Sequence, residues 1–150
     1  MIVTLTPNPS VDRTVSITEL QRGEVHRATA SRIDPGGKGV NISRALTAHK
    51  ARTLAVLPAG GPQGNLLADL LVEAGIEVAI IPIAGSSRAN IALVEPDGTT
   101  TKINEPGPLL SGSEIGALLA GAEATLVDHP SWMVGSGSLP PSPRAACNRT

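Results

Sequence analysis

The stretch Asp34-Pro35-Gly36-Gly37-Lys38-Gly39-Val40-Asn41 predicts a glycine-rich turn that leads directly into an α-helix. Glycines allow positive φ angles and close approach of a ligand, and the free N–H groups of a first helical turn favour an anion. Asn41 and Arg44 are three residues apart, so the helix would present both side chains at the same mouth. The pattern indicates a site for a phosphorylated or polyhydroxylated small molecule. A tight turn without a ligand is the alternative, because the chain contains neither G-x-G-x-x-G nor G-x-x-x-x-G-K-[ST].

Strand and helix patterns alternate around this turn. Apolar runs predict strands at residues 1–5, 53–57 and 77–83. Helices are predicted from Lys38 to about His49 and before Gly75, the second with a buried stripe of Leu66, Leu67, Leu70, Leu71 and Ala74. The order strand, helix, strand, helix, strand favours right-handed βαβ units, and therefore an α/β fold with a mostly parallel sheet flanked by helices.

Four further strands depart from this alternation. Residues 13–17 and 24–33 alternate polar and apolar side chains, which is typical of strands with one covered face. Residues 88–95 and 99–103 are joined by Pro96-Asp97-Gly98, and an Asp-Gly turn predicts an antiparallel hairpin. We expect these strands to form a small antiparallel β lid that projects from the parallel core.

The last part of the chain contains one clear helix start. Ser111-Gly112-Ser113-Glu114 has the pattern of a capping box, and an apolar face follows it, made of Ile115, Leu118, Leu119 and Ala122. Residues 124–127 are predicted to return to the sheet as a strand. Beyond Trp132 the composition is typical of loops, and residues 142–150 form a divergent tail without a clear period.

The composition argues against several classes of protein. With 41% hydrophobic but 1% aromatic residues, the core should be aliphatic, and base stacking on single-stranded nucleic acid is disfavoured. A formal charge of −1 offers no electrostatic footprint for nucleic acid or an anionic membrane. No apolar stretch approaches the roughly 20 residues of a membrane-spanning helix. One cysteine, Cys147, and no pattern of a signal peptide favour a soluble, cytoplasmic protein. The three histidines have no metal-ligand spacing, and we predict no metal site within this chain.

Four ordered blocks resemble the N-terminal half of bacterial 1-phosphofructokinases and tagatose-6-phosphate kinases, which are ribokinase-like sugar kinases of the PfkB type. The blocks are Thr6-Pro7-Asn8-Pro9-Ser10-Val11-Asp12-Arg13, Pro35-Gly36-Gly37-Lys38-Gly39-Val40-Asn41, Asn104-Glu105-Pro106-Gly107-Pro108 and Gly137-Ser138-Leu139-Pro140. The resemblance implies a Rossmann-type, mostly parallel sheet with a β lid. It also implies ATP-dependent transfer of a γ-phosphoryl group to a hydroxyl of a sugar phosphate, with residues 1–141 as the sugar-binding half.

The resemblance assigns sugar-binding roles to two of these blocks. Asp12 matches an aspartate that holds sugar hydroxyls, which suits a group that only accepts hydrogen bonds. Gly36, Gly37 and Asn41 match a loop whose backbone and side-chain amides bind hydroxyls, and Lys38 is the lysine of the same motif. For Asp12 the alternative is a turn-capping role, and for Lys38 it is a solvated surface position.

A second group is expected to hold the phosphate that the substrate already carries. Arg88 and Asn90 match an Arg-x-Asn at the start of a lid strand, where the guanidinium can form paired charge-assisted bonds. Lys102 and Ser138 are further candidates for the same end of the substrate. A solvent-facing Arg88 is the alternative.

The catalytic motifs of the family have no counterpart in this sequence. The chain contains neither the Asn-x-x-Glu motif associated with Mg²⁺ nor the Gly-Ala-Gly-Asp motif of the catalytic aspartate, which is expected beyond Thr150. The resemblance thus implies ATP and Mg²⁺ as cofactors whose main binding motifs lie elsewhere. We expect a truncated kinase that is inactive alone, with an unpaired sheet edge and exposed apolar surface where a second half would dock.

Fructose 1-phosphate, converted to fructose 1,6-bisphosphate, is the substrate that the resemblance favours. Tagatose 6-phosphate and fructose 6-phosphate are alternatives, because one arginine-bearing pocket could hold a phosphate at either end of a ketohexose. The resemblance also implies a homodimer formed through the β lid. From a different functional class, the alternative is a non-catalytic module that binds a sugar phosphate or mediates dimerisation.

Overall fold

Two four-stranded sheets and three α-helices make up residues 1–141, the part of the chain that the structure, a computed structural model, describes. The predicted tail, residues 142–150, lies outside these residues. In chain order the elements are β1 (Ile2–Leu5), β2 (Ser10–Ser16), β3 (Ala30–Gly36), α1 (Lys38–Ala48), β4 (Thr53–Ala59), α2 (Gly61–Glu73), β5 (Glu77–Pro82), β6 (Arg88–Val94), β7 (Thr100–Asn104), α3 (Gly112–Ala124), a 3₁₀ turn (Thr125–Asp128) and β8 (Trp132–Gly135).

The first sheet forms the parallel core that the sequence predicts. Its strand order is β5-β4-β1-β8, and every neighbouring pair is parallel. Side chains of the central strand β4 alternate between the two faces: Ala55 and Leu57 pack with residues of α1 and α2, whereas Val56 packs with α3. All three are fully buried. Helices therefore cover both faces of the sheet, and the prediction of an α/β core is confirmed.

The second sheet is the lid, and it is mixed where the sequence predicted an antiparallel arrangement. Its order is β3-β2-β6-β7, with antiparallel pairs at both sides and a parallel pair, β2 and β6, at the centre. The direction follows from the core, because β2 and β6 each leave the carboxyl end of a core strand, β1 and β5, and those strands run the same way. The hairpin of β6 and β7 around Gly98 is antiparallel, as the Asp-Gly turn predicts.

The third strand is shorter at its start than its sequence pattern predicts. Residues 24–33 were predicted as a strand, but β3 begins at Ala30 and continues to Gly36, into the glycine turn. Residues 24–29 alternate polar and apolar side chains without a surface to cover, and Val25 is 84% exposed. His26 instead contacts the backbone of Gln21 across a local turn. The alternation of side chains is a strand signal only where a neighbour covers the apolar face.

The strand predicted at residues 124–127 is wrong. These residues end α3 and form the 3₁₀ turn Thr125–Asp128, in which the Thr125 hydroxyl donates to the carbonyl of Ala122 at 2.7 Å. The strand that returns to the core is β8, five residues further on, and it pairs with β1 in parallel register. A short apolar run fits either a strand or a helix end, so periodicity alone did not distinguish them.

The predicted apolar face is confirmed in α2 except at its end, and it is narrower than predicted in α3. In α2, Leu67 and Leu71 are fully buried and Leu66 and Leu70 pack against the same core, whereas Ala74 is exposed at the C-terminal end. In α3, Leu118 and Ala122 pack on the sheet, whereas Ile115 and Leu119 are 41% and 53% exposed. Within residues 1–141, no helix has both the length and the apolar character needed to cross a membrane.

The predicted capping box of α3 is present and also ties the helix to a loop. The Ser111 hydroxyl accepts from the backbone N–H of Glu114, and the Glu114 carboxylate accepts from the backbone N–H of Ser111. Its other oxygen accepts from the backbone N–H of Ala84 at 2.7 Å. Hydrogen bonds from these two backbone groups, with Ala84 the larger cause, hold the pKa of Glu114 below its ordinary value.

A buried chain of hydroxyls fixes α1 to the parallel core. The Ser43 hydroxyl bonds to the Thr4 hydroxyl at 2.7 Å and to the Thr53 hydroxyl at 2.9 Å, which links α1 to β1 and β4. All three side chains are buried, so each depends on the others for its hydrogen bonds. Since α1 begins at the glycine turn, this chain also sets where the helix mouth lies.

Replacing Ser43 by Ala should destabilise the fold by about 1–3 kcal/mol, because Thr4 and Thr53 would be left with buried hydroxyls that lack their partner. Urea unfolding followed by circular dichroism measures this. The matched control adds Thr4→Val and Thr53→Val to Ser43→Ala, and it should recover much of the loss by removing the orphaned hydroxyls. Equal stability of Ser43→Ala and the wild-type chain would contradict the role of the hydroxyl chain.

Candidate functional site

A polar cavity of about 430 Å³ lies between the glycine turn, the first residues of the lid strands and the loop after β8. Seven residues singled out by the sequence line it: Asp12, Gly37, Lys38, Asn41, Arg88, Asn90 and Ser138. They come from four segments that are widely separated in the sequence. The cavity lies beyond the carboxyl ends of the core strands, the usual position of ligands in open α/β sheets.

The glycine turn gives the cavity an open helix N-terminus. Gly37 is the N-cap residue, and its φ of 114° is in the region that favours glycine. It provides no side-chain cap, so the first N–H groups of α1 are available to a ligand. A Cβ at Gly39 would overlap the buried Thr6 hydroxyl, which shows how closely the helix start packs on the loop after β1.

Asp12 is held in place by two neighbours on the same face of the lid. The Ser10 hydroxyl and the Asn90 side-chain amide both donate to its Oδ1, at 2.7 and 2.9 Å. The parallel register of β2 and β6 places Asn90 opposite Asp12, which explains the second bond. Within residues 1–141, Oδ2 receives no hydrogen bond, so an acceptor remains for a ligand hydroxyl. Gly36 is not on the cavity wall, but a Cβ there would overlap the Asp12 carboxylate.

Arg88 binds protein carbonyls with part of its guanidinium. One terminal nitrogen donates to the carbonyl of Asn8 at 3.1 Å, and the other donates to the carbonyl of Glu105 at 3.0 Å. A guanidinium has five N–H groups, so these two bonds leave others for a ligand. Its Nε is buried and has no partner among the described residues. Arg88 therefore holds two loops together while it lines the cavity.

Two residues of the site were missed by sequence reasoning, although both lie in the first block of the resemblance. Ser10 bridges Asp12 and Asn90, since its hydroxyl also accepts from the Asn90 amide at 3.0 Å. Asn8 donates to the carbonyl of Pro106 at 2.9 Å and to the Ser138 hydroxyl at 3.3 Å. The spacing of Ser10 and Asp12 on one strand could have identified Ser10, because alternate residues share a face. Nothing local identifies the distant partners of Asn8.

Besides Gly36, two further predicted positions differ from expectation. Arg44 does not line the cavity beside Asn41. Its Nη2 instead pairs with the Oδ1 of Asp34 at 3.2 Å, because Asp34 lies close to it near the end of β3. Lys102 lines a neighbouring cavity of about 300 Å³, which shares Asp12 and Asn90 with the first but does not include Ser138.

Comparison with known families identifies the family to which this fold belongs. A family described as pfkB family carbohydrate kinase matches residues 6–140, which is most of the chain. The chain belongs to the pfkB family. The predicted resemblance is therefore confirmed, and the cavity lies among the four blocks that first indicated it.

Two relatives and one solved structure show the extent of the match. The chain is 38% identical over 144 residues to an ATP-dependent 6-phosphofructokinase isozyme 2 from Mycobacterium tuberculosis, covering 93% of this chain and 41% of that protein. It is 34% identical over 139 residues to a 1-phosphofructokinase from Vibrio cholerae, covering 93% and 44%. A crystal structure of a possible 1-phosphofructokinase from Thermotoga maritima superposes with a TM-score of 0.86 at 31% identity, covering 94% and 46%. The chain thus spans less than half the length of each relative.

The described residues do not provide a cluster of metal ligands. Among residues 1–141, no three histidine, cysteine, aspartate or glutamate side chains come together as they would around an ion. The acidic residue of the cavity, Asp12, is engaged with Ser10 and Asn90 and has a single free oxygen. The arrangement suits hydrogen bonding to a polar organic ligand.

Replacing Gly36 by Ala should destabilise the fold by about 1–3 kcal/mol, because the new methyl group would overlap the Asp12 carboxylate that Ser10 and Asn90 hold in place. Denaturant unfolding measures the change. Gly116→Ala is the control, since a Cβ there meets nothing within 4 Å on α3 and should stabilise by about 0.5–1 kcal/mol. If both variants are equally stable, Asp12 does not occupy the space above Gly36.

Proposed function

We propose that this chain is the sugar-phosphate-binding half of a pfkB kinase, with fructose 1-phosphate as its substrate and fructose 1,6-bisphosphate as the product of the complete enzyme. The observation that carries the proposal is the convergence of Asp12, Asn41, Arg88 and Ser138 on one cavity. These residues lie as far as 126 positions apart in the sequence, counted from Asp12 to Ser138, so local structure alone would not bring them together.

The chemistry of the cavity wall suits the two kinds of group on a ketohexose phosphate. Asp12 presents a carboxylate oxygen that can accept from a sugar hydroxyl, and Asn41 can both donate and accept. Gly37 lets the sugar approach the backbone at the start of α1, and Gly36 leaves room for the Asp12 carboxylate. Asn90 has its donors engaged, so we assign it mainly to holding Asp12.

The phosphate is assigned to the cationic part of the cavity. Lys38 and Arg88 supply positive charge, Ser138 supplies a hydroxyl, and the N-terminus of α1 adds N–H groups that favour an anion. Lys102 lines the adjoining cavity, and we place it at the margin of this site. Tagatose 6-phosphate and fructose 6-phosphate remain the alternative substrates, since relatives are named as both 1-phosphofructokinases and a 6-phosphofructokinase.

ATP and Mg²⁺ would act with polypeptide that this sequence does not contain. The described residues lack a cluster of metal ligands, and the sequence lacks the aspartate motif of the family. We infer that residues 1–141 bind and orient the sugar phosphate, whereas the base and the nucleotide site come from the half of the relatives that this chain does not span. The single cysteine is compatible with the cytoplasm, where we place the enzyme.

Two surfaces support the docking of such a second half. Strand β8 is the last strand of the core sheet, and on it Trp132 is 70% exposed and Met133 is 37% exposed. Beside α3 lies an almost wholly apolar groove of about 390 Å³, lined by Leu5, Pro7, Leu110, Ile115, Leu118, Leu119, Leu139, Pro140 and Pro141. An edge strand that has no partner within residues 1–141, next to an apolar groove, favours burial against another polypeptide.

A non-catalytic role is the second candidate function, because the cavity is built from this chain alone while the catalytic motifs are not in its sequence. In that case the chain would bind a sugar phosphate and associate through its lid, where Ile103 is 55% exposed on the outer strand β7.

Sedimentation velocity with and without Ile103→Lys tests the lid dimer, which we propose for either function.

The variant Arg88→Ala should weaken binding of fructose 1-phosphate by about tenfold or more, because it removes a charged donor from the cavity. Isothermal titration calorimetry measures the affinity, and thermal unfolding in parallel reports any loss from the bonds to Asn8 and Glu105. Arg22→Ala is the matched control, since Arg22 is exposed and does not line the cavity. Unchanged affinity in Arg88→Ala would contradict the assignment of this arginine to the phosphate.

The purified 150-residue chain should bind fructose 1-phosphate but form no fructose 1,6-bisphosphate from it with ATP and Mg²⁺. A coupled assay and mass spectrometry of the products measure turnover. Substrate-dependent formation of the bisphosphate, at a rate that rises with enzyme concentration, would show that this chain contains a complete active site and would overturn the division into two halves.

A further inference from the structure

Asn8 connects the three loops that close one side of the cavity. It lies in the loop between β1 and β2, is 4% exposed and lines the cavity. Its side-chain amide donates to Pro106 and Ser138, and its carbonyl accepts from Arg88. These partners are 98, 130 and 80 positions away in the sequence, so one residue joins segments that are distant along the chain.

The orientation of the Asn8 amide is fixed by its surroundings. The carbonyl of Pro106 can only accept a hydrogen bond, so the NH₂ group of Asn8 must face it. The Asn8 Oδ1 packs against the next residue, Gly107, whose φ is +92° and where a Cβ would overlap that oxygen. Oδ1 is buried and has no hydrogen-bond partner within the described residues. A flipped amide would place this acceptor against the carbonyl of Pro106, which is unfavourable.

A fixed amide determines what the Ser138 hydroxyl can do. The NH₂ group of Asn8 has donors only, so the Ser138 oxygen accepts in their shared bond at 3.3 Å. The hydroxyl hydrogen of Ser138 is then left to donate elsewhere. A phosphate monoester at neutral pH presents only strong acceptors in its ionised form, so a hydroxyl in this state matches it.

We propose that Asn8 is a positioning residue that orients Ser138 as a hydrogen-bond donor to the phosphate group of the ligand. The inference rests on the proposed function, because it takes a sugar phosphate as the occupant of the cavity. It adds a residue that acts through Ser138 rather than through contact with the phosphate. The bond between the Asn8 carbonyl and Arg88 also couples Asn8 to the guanidinium on the same wall.

The test is a double-mutant cycle between Asn8 and Ser138, measured as the affinity of the 150-residue chain for fructose 1-phosphate by titration calorimetry. Asn8→Asp keeps the shape but replaces the donor by a carboxylate, which would accept the Ser138 hydrogen and turn it from the phosphate. In the wild-type background we expect a loss of about tenfold or more. In the Ser138→Ala background the same change should cost several-fold less, because the hydroxyl to be redirected is absent.

Two further variants keep the result interpretable. Asn65→Asp is the matched control, since Asn65 is exposed on α2 and gains the same charge away from the cavity; its affinity should match the wild type. Asn8→Ala removes the amide without adding charge, and the same cycle with Ser138→Ala should again show coupling. Circular dichroism melts accompany each variant, and Asn8→Ala provides the cycle if Asn8→Asp fails to fold.

The outcomes separate this inference from the proposed function. Equal losses from Asn8→Asp in both backgrounds, or no loss at all, would overturn the positioning role while leaving the sugar-phosphate site intact. A folded wild-type chain that binds none of fructose 1-phosphate, fructose 6-phosphate and tagatose 6-phosphate would reject the proposed function itself, and the role of Asn8 with it. Coupling confined to Asn8 and Ser138 supports both the positioning role of Asn8 and the proposed function.

Discussion

The parallel pairing of β2 with β6 is the constraint on which the site depends. It joins two excursions from the core sheet that begin about 80 residues apart, and its register sets Asp12 opposite Asn90 and Ser10 opposite Arg88. Four polar side chains thereby share one face of the lid at the point where it meets the core. A shift of β2 by one residue would turn Ser10 and Asp12 to the face opposite Arg88 and Asn90, because side chains alternate along a strand.

The loops at this junction are held by side chains that serve the architecture and the cavity at once. Arg88 bonds to the carbonyls of Asn8 and Glu105, and Asn8 bonds to Pro106 and Ser138. Because these hydrogen bonds already order the loops, little conformational entropy would be lost there when a ligand binds.

The surface around β8 and α3 has a different character. Whereas the cavity wall is polar and internally bonded, this surface exposes Trp132, Leu119 and Leu139 next to β8, the edge strand of the core sheet within residues 1–141. Apolar surface beside unpaired backbone groups is unfavourable in water and is normally covered. The polar cavity and the apolar groove beside α3 are thus two chemically distinct surfaces of the described residues.

The sequence by itself determined the elements whose signals are local. Turn chemistry located the hairpin at Gly98, capping residues located the start of α3, and the glycine turn before Lys38 located the open end of α1, because each depends on residues close together in the chain. Ordered sequence blocks also indicated the family and most of the cavity residues. Only the tertiary structure decided that the lid is mixed, that β3 begins at Ala30, that the last strand is β8, and that Asn8 holds Ser138. Those features depend on which distant surface covers an apolar side chain or supplies a hydrogen-bond partner, and the order of residues along one chain does not contain that information in any local pattern.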